Sequence, residues 1–433
     1  MVGALMKSAS STALFAALGL IALGAGVPAA NAADLGGDCC ADLEERVAEL
    51  EATTARKGNR KVSLTISGQV TTALMAWDDG VTSDVYIVDP PTAGGTLFNL
   101  NGSAKISPSL TAGFHIQIGL DKGARSHQVT ATDDDGGAAG DTSMVMTLAN
   151  WYLDHKSLGR VTVGRANTAT AGITGIDLGG TGAIANPNVG YWNRSFGINV
   201  GGAPTGFTWG DAMGGNTVNG STLSRANVIN YTSPTMGGFS VSAAWGEDNI
   251  WDVALRYAGE FSGFRLAAGI GYINNSGGTG EVTKDNPGVV GPEPSQVKGS
   301  VSLMHVASGL YVNYAYLNQD NDDATGPGTP DTTMHYVQGG IGKNWTGLGK
   351  TVLYGEYARV EDGLASFTTP FPSYSNAEVY GLGVVQHIDA AAMELFLSYR
   401  RYSADTTLLP FGNGPKVTLD DMDVVMGGAR IKF

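Results

Sequence analysis

Basic residues at alternating positions are the side chains of this sequence that could act electrostatically on a solute. Arg256, for example, lies between Leu255 and Tyr257. Successive side chains of a β-strand point to opposite faces, so such a residue faces away from its apolar neighbours. If such a strand crosses a membrane, a basic side chain on its lipid-facing surface would cost about 2–4 kcal/mol of stability at the midplane. The face away from lipid, here called inward, is therefore favoured. The residues with this pattern are Arg256, Arg265, Lys298, Arg400 and Arg430.

Fixed charges on the wall of a water-filled space order water and polarise solutes, but they break no bonds. The alternative, that these side chains only solvate the wall, stays open. Covalent chemistry would need a nucleophile beside a base, or a pair of acids, and we find neither; the 6 histidines are scattered. The sequence therefore predicts no enzyme, and a barrel enzyme of the outer membrane is the less favoured alternative.

The elements that must position these residues are strands with a period of two. In residues 62–77, Val62, Leu64 and Ile66 alternate with hydroxyl-bearing residues. We predict about sixteen such strands up to residue 433, with tight turns alternating with long polar segments, which is typical of a transmembrane antiparallel β-barrel. Aromatic residues at the ends of apolar faces, such as Trp77 and Trp151, predict interfacial girdles.

Composition supports an all-β membrane protein. Charged residues make up only 15% of the chain, and Gly accounts for 63 residues, whereas soluble domains average about 25% charged residues. The net charge of -14 argues against a nucleic-acid partner, because phosphates require a basic surface. The last strand ends on Phe433, on the same face as Ile431, and we predict that it closes the barrel and serves as an assembly signal.

The N-terminal region differs from the rest. Residues 1–32 contain an apolar run and the small-x-small site Ala30-Asn31-Ala32, which predicts a cleaved secretory signal, the alternative being an uncleaved anchor helix. Residues 33–60 contain a segment with a 3-4 apolar spacing, which predicts a short periplasmic coiled coil; a lone amphipathic helix is the alternative. Adjacent Cys39 and Cys40 are either solvent-exposed or form bridges between chains. The seam residues of the coil are Leu43, Val47 and Leu50.

Three stretches resemble a known family. Residues 42–60 run into VSLTISGQV, residues 227–239 read NVINYTSPTMGGF, and the final strand ends in Phe433. Together they resemble the trimeric general porins of Gram-negative bacteria, most closely the alphaproteobacterial members. The resemblance implies a sixteen-stranded barrel, a homotrimer and a third loop, here residues 167–224, folded into the lumen as a constriction.

The same resemblance assigns two further residues to the constriction. Gly164-Arg165 matches the family's position where the chain leaves the barrel wall. Alternation alone would put Arg165 on the apolar face of its strand, with Val161 and Val163, but the resemblance places it at the strand end, facing the pore. The opposing acid should come from the loop, whose acidic residues are Asp177 and Asp211, and we choose Asp177. With acidic outer loops, this arrangement predicts a weak preference for cations.

We therefore expect an outer-membrane porin through which small hydrophilic solutes and ions diffuse passively. The alternative is a structural barrel that tethers the envelope and has a plugged lumen. Expected partners are other copies of the chain, lipopolysaccharide and outer-membrane lipid, and the barrel-assembly machinery. We expect no cofactor, apart from divalent cations at acidic loops near residues 133–135 and 320–323.

Overall fold

The structure is a computed structural model that describes nine segments of the chain. It divides the chain into the units 1–52 and 53–433, and all described residues belong to the second. The signal segment 1–32 and the coil segment 33–60 lie outside the described residues. The described segments are 61–121, 124–136, 143–214, 224–246, 250–274, 295–321, 329–366, 374–407 and 415–433.

Sixteen antiparallel strands form a closed barrel, which confirms the predicted fold class. Strands are numbered in chain order, and each barrel strand pairs with the next barrel strand along the chain. The barrel strands are β1 (Ser63–Asp78), β3 (Leu97–Lys105), β4 (Leu110–Asp121), β5 (Ser143–His155), β6 (Gly159–Asn167), β9 (Arg225–Thr232), β10 (Phe239–Gly246), β11 (Trp251–Phe261), β12 (Phe264–Asn274), β13 (Ser295–His305), β14 (Leu310–Asp320), β15 (Thr332–Lys343), β16 (Thr351–Glu361), β17 (Ser375–Ile388), β18 (Met393–Thr407) and β20 (Met422–Lys432).

The remaining regular elements lie in the connections. Strand β2 (Ser83–Val88) pairs with the end of β1, and β19 (Lys416–Thr418) pairs with the end of β18. A hairpin of β7 (Gly197–Val200) and β8 (Ala203–Thr208) is followed by the one-turn helix α1 (Trp209–Ala212). None of the helices in the described segments has the length and apolar character to span a membrane.

Closure depends on the pairing of β1 with β20, in which Val70 lies opposite Ile431. Beyond the strand, the backbone N–H of Gly68 donates to the carbonyl of Phe433 at 2.9 Å, and the N–H of Phe433 donates back at 3.0 Å. Each barrel strand therefore has two neighbours. No strand edge of the barrel is left open, as a lipid environment requires.

The two faces of the wall follow the period of two. In β1, Val70 and Leu74 are exposed on the outer face, whereas Ala73 and Met75 are buried on the inner face. Trp151 is also exposed on the outer face, as the girdle prediction requires. Trp77 is not: it is 3% exposed and points into the lumen. The prediction was wrong there because period two places Trp77 with Met75 rather than with Leu74.

The connections differ in length between the two ends of the barrel. At one end, here called the short-turn end, strands are joined by tight turns such as Ser262-Gly263, both in the left-handed region with φ of +48° and +81°. Two such residues match the right-handed twist of the flanking strands. The opposite, long-loop end carries every connection that the structure describes only in part. The chain thus separates a compact end from an elaborated one.

Candidate functional site: the lumen loop and the open wall

Residues 168–214, here called the lumen loop, leave β6 and fold into the barrel. Strand β11 anchors the start of this loop. The carboxylate of Asp252 accepts the backbone N–H of Ala169 at 3.0 Å and that of Thr170 at 2.6 Å. Arg256 donates from Nη2 to the carbonyl of Ala169 at 2.7 Å. Arg256 therefore faces inward, and its guanidinium holds the lumen loop.

A tight turn in the lumen loop is organised by Asp177. Its carboxylate accepts the backbone N–H groups of Gly179, Gly180 and Thr181 at 2.5, 3.0 and 2.7 Å. It also accepts Nδ2 of Asn313, on β14, at 2.8 Å. Gly180 has a φ of +82°, where a side chain would be strained. The carboxylate is thus committed to the turn, and its role as an acidic partner across a constriction stays a prediction.

The same turn is held at the short-turn end of the barrel. Lys350, which follows a short turn, donates from Nζ to the carbonyl of Gly179 at 2.5 Å. His387, close to the next short turn, bonds through Nε2 to the carbonyl of Gly180 at 3.0 Å. Because both anchors lie where β16 begins and β17 ends, the lumen loop extends through the depth of the barrel.

One side of the lumen is filled by apolar packing. Trp192 and Phe196 of the lumen loop are fully buried, and the rings of Phe196 and Trp77 meet at 4.9 Å. Trp209 packs against Tyr402 with ring centroids 5.6 Å apart. These contacts bury the inner faces of β14–β18 and β20, here called the covered wall. Its large apolar side chains are Tyr311, Leu317, Met334, Tyr336, Val352, Tyr354, Val360, Val379, Val385, Phe396, Met422, Val424 and Met426.

Arg400 lies within the covered wall and is 0% exposed. Its Nε and Nη2 donate to the two carboxylate oxygens of Glu356 at 2.7 and 3.0 Å, and Nη1 donates to the carbonyl of Val189 at 3.2 Å. The guanidinium carbon lies 4.3 Å from the ring centroid of Trp192. Arg400 faces inward as predicted, but it cannot line a pore, because the lumen loop seals it from water.

Lys298 is sealed in a similar way. It lies on the inner face of β13, is 1% exposed, and donates to Oε1 of Gln296 at 3.3 Å. On the same face, Ser300 donates to the carbonyl of Ile173 in the lumen loop at 2.5 Å. The start of the loop therefore covers this part of the wall. The alternation of side chains along the strand predicted that Lys298 faces inward. It carries no information about which residues pack over it.

Two of the basic residues lie near the short-turn end. Arg265 pairs with Glu260 at 2.7 Å, and both side chains are about half exposed. Arg430 is largely buried and pairs with Glu394 at 2.5 Å, and Lys432 reaches the same carboxylate at 2.9 Å. Both arginines face inward and both are neutralised locally. Of the two, Arg265 is the more accessible to a solute at that mouth.

Arg165 differs from the expectation. It is exposed on the outer face of β6, where Val163 also lies, and the next residue, Ala166, is buried on the inner face. Val163 pairs with Ile229 of β9, and Ile229 is exposed on the same outer face as Arg165. Arg165 thus follows the alternation of its strand instead of turning toward the pore. The reason is that β6 continues to Asn167, and the chain turns inward only after that residue. Arg165 is therefore not a pore residue.

A second set of inward side chains is polar and partly exposed. It lies on β3–β6 and β9, the part of the barrel here called the open wall. His115 and Gln117 both hydrogen-bond to Oδ1 of Asn99, each at 2.9 Å. The start of the lumen loop packs with Ala166 and Val228 of this wall, but the polar side chains of the wall stay partly exposed. The inward polar side chains of the open wall include Asn99, Asn101, Ser103, His115, Gln117, Asn150, Tyr152, Thr162 and Asn230.

Within 97–119, 148–166 and 226–232, the charged inward side chains of the open wall lie at the short-turn end. They are Lys105 and the pair of Arg160 with Asp154, whose Nε–Oδ2 distance is 3.0 Å. Further along, the inward side chains within 97–103, 111–119, 148–152, 162–166 and 226–232 include no Asp, Glu, Lys or Arg. These residues are absent from the predicted set because they carry no charge. The signal was the face of hydroxyls and amides opposite the apolar positions.

A neighbouring loop segment, 124–136, packs on the lumen loop. Ser195 donates to the carbonyl of His127 at 2.8 Å. Burial, with a smaller effect from the charges of Arg194 and Arg125, lowers the pKa of His127 to about 3. His127 is therefore neutral at physiological pH, and it belongs to the packed interior rather than to a solute surface.

The described residues contain no group of three or more His, Cys, Asp or Glu side chains arranged to hold a metal ion. The carboxylate of Asp133 accepts the backbone N–H groups of Asp135 and Gly136. Asp141, Asp322 and Asp323 lie outside the described residues. Divalent cations at the acidic loops therefore stay a prediction.

The chain belongs to the Gram-negative porin family, whose model matches residues 16–407. It is therefore a protein of the outer membrane that forms a channel for passive diffusion.

Solved structures support the fold. An anion-selective porin from Comamonas acidovorans shares 15% identity with a TM-score of 0.52, over 86% of this chain and 100% of that chain. In-vitro folded OmpT, an outer membrane protein of Vibrio cholerae, shares 14% identity with a TM-score of 0.51, over 87% and 99%. A comparison with curated proteins found no match.

Proposed function

We propose that small hydrophilic solutes cross the barrel between the lumen loop and the open wall. The observation that supports this route is the contrast between the two sides of the lumen. Inward side chains of the covered wall, such as Leu317 and Val352, are fully buried by apolar contacts, whereas the open wall carries amide and hydroxyl side chains that are partly exposed. Water and polar solutes partition to polar, hydrogen-bonding surfaces.

The test is single-channel recording of refolded protein in planar bilayers. We expect discrete conductance steps, together with a measurable reversal potential in a salt gradient. A second candidate function is a structural barrel that tethers the envelope, which the apolar filling of one side of the lumen favours. That candidate predicts folded barrels that insert without conductance steps, so the same recording separates the two.

We further propose that the chain is exported through a cleaved signal at residues 1–32 and assembles with lipopolysaccharide and lipid around it. Family membership supports a channel, and we assign no residue to catalysis. We also propose roles for three inward arginines. Arg256 anchors the lumen loop, and Arg265 and Arg430 lie near the mouth at the short-turn end. Their contacts with Ala169, Glu260 and Glu394 support this assignment.

A homotrimer is the assembly that we propose. A solved form of OmpT from Vibrio cholerae is described as a trimer, with 13% identity to this chain and a TM-score of 0.51. If the coil of Leu43, Val47 and Leu50 supports the trimer, a buried charge in its seam should weaken it. We expect Val47→Glu to lower the temperature at which trimers dissociate on a gel, with Glu45→Gln, at a position outside the predicted seam, as control. A wild-type protein that is strictly monomeric would contradict the proposal.

Asp177→Asn tests what the carboxylate in the lumen loop does. The carboxylate accepts five hydrogen bonds, and the substitution converts one acceptor oxygen into a donor. We expect the turn to loosen at a cost of about 1–3 kcal/mol, seen as added current noise, with conductance of the same order. Asp211→Asn, at the only other acid of the loop, is the control. A shift toward anions in Asp177→Asn alone would instead place Asp177 in the constriction.

A further inference from the structure

We propose that the route along the open wall favours uncharged, hydroxyl-rich solutes over ions of either sign and equal size. The proposal rests on the route proposed above and names the class of solute that it passes. Its basis is the chemistry of the inward side chains between the two mouths. Most of the partly exposed ones are amides and hydroxyls, with one imidazole and one phenol, around Asn101, His115, Asn150 and Tyr152.

The first step concerns ions. A charged solute loses part of its hydration between two protein walls, and this cost is recovered only where a fixed charge of opposite sign lies nearby. Within 97–103, 111–119, 148–152, 162–166 and 226–232, the inward side chains offer no such charge. At the short-turn end Lys105 is exposed, whereas Arg160 is paired with Asp154, and Arg265 of the neighbouring β12 with Glu260, so each of these pairs carries little net charge.

The second step concerns hydroxyls. An amide side chain carries two N–H donors and an acceptor oxygen, so it can bond to a hydroxyl in either direction. Oδ1 of Asn99 already joins His115 and Gln117 into one ladder. Asn101 and Asn150 continue the polar surface on β3 and β5. A polyol can exchange bonds with water for bonds with this surface at little cost, whereas an ion cannot.

The third step concerns the opposite side of the route. The carboxylate of Asp177 is held by backbone amides of its own turn, and the amine of Lys350 is held by carbonyls of the same turn. These two charges are thus engaged by the lumen loop. Arg125 and Arg194, the other cations on this side, also have interaction partners. We therefore expect the loop to add little selectivity by charge, so that the neutral character of the open wall decides the preference.

The test compares three solutes that share a six-carbon polyol chain: sorbitol, gluconate and N-methylglucammonium. Their entry into proteoliposomes carrying the full-length protein is followed at neutral pH, where the last two carry one negative and one positive charge. We expect sorbitol to permeate at least about threefold faster than either ion. Equal rates for the three solutes would overturn the inference and leave the channel function intact. No permeation by any of them would overturn the route itself.

Charge variants then locate the effect. Asn101→Arg should raise the rate of gluconate relative to sorbitol and lower that of N-methylglucammonium, and Asn101→Asp should do the reverse. Asn318→Arg is the matched control, since Asn318 lies on the outer face of β14 with the exposed Val312 and Tyr314. Folding of each variant is checked by its shift on an unheated gel. Variants at Asn101 that behave like the Asn318 control would overturn the inference.

Discussion

Arg400→Met should lower the free energy of unfolding by about 3–5 kcal/mol. The substitution leaves the carboxylate of Glu356, which is 1% exposed, buried without its cationic partner. It also removes the guanidinium from the carbonyl of Val189 and from the ring of Trp192, so the lumen loop loses an anchor on the covered wall. Denaturant unfolding of the refolded barrel measures the stability, and single-channel current noise reports the freedom of the loop.

Two variants serve as controls for that result. Glu356→Gln combined with Arg400→Met leaves no unpaired charge, so we expect it to recover much of the lost stability. Arg265→Met removes the half-exposed pair with Glu260, and we expect a loss of less than about 1 kcal/mol. The losses of stability in Arg400→Met and in Glu356→Gln alone are measured for comparison. If the double variant lost the full sum of these two losses, the two side chains would not be coupled and the explanation would fail.

Deletion of Phe433 is expected to reduce the folded barrel severalfold in cells. Its backbone makes the last two hydrogen bonds to Gly68 of β1, and an unpaired backbone group in hydrocarbon costs several kcal/mol. The aromatic ring also lies over Gly68, where an added Cβ would come within 2.6 Å of Phe433 Cζ. Heat-modifiable barrel in outer-membrane fractions measures the yield.

Phe433→Ala separates two causes of such a loss. It keeps the backbone pairing but removes the ring that we propose the barrel-assembly machinery reads. We expect this variant to refold in detergent with nearly wild-type yield and to remain deficient in cells, whereas the deletion should be impaired in both. Wild-type yield of the deletion in cells would contradict both roles of Phe433.

The contrast between the two sides of the lumen explains how one chain combines a stable filling with a route for solutes. The lumen loop packs its aromatic residues against the covered wall and buries its polar anchors there, including Arg400. On the other side, the open wall keeps amides and hydroxyls in contact with water. The loop is thus a structural element on one side and a boundary of the route on the other.

Most strand positions followed from the sequence. Residues 225–232 and 110–121 were predicted with the bounds that the structure has, because alternation and turn residues are local signals. The strand predicted at 392–401 extends to Thr407, since its last residues pair with β17 and β19. The short strands β2, β7, β8 and β19 were missed. They depend on neighbours in the connections rather than on a long pattern of their own.

The sequence by itself indicated the fold class, the family and the inward position of the basic residues that alternate with apolar ones, such as Arg400 and Arg265. Alternation is a local signal, and the prediction of inward basic residues failed only at Arg165, which was placed against it. It could not determine which inward residues meet water. Arg400 and Arg265 show the same alternation, yet the first is sealed beneath Trp192 and the second is half exposed. Only the tertiary structure decided this, because exposure in the lumen depends on where residues 168–214 pack. That packing joins positions more than a hundred residues apart, as Val189 and Arg400 show.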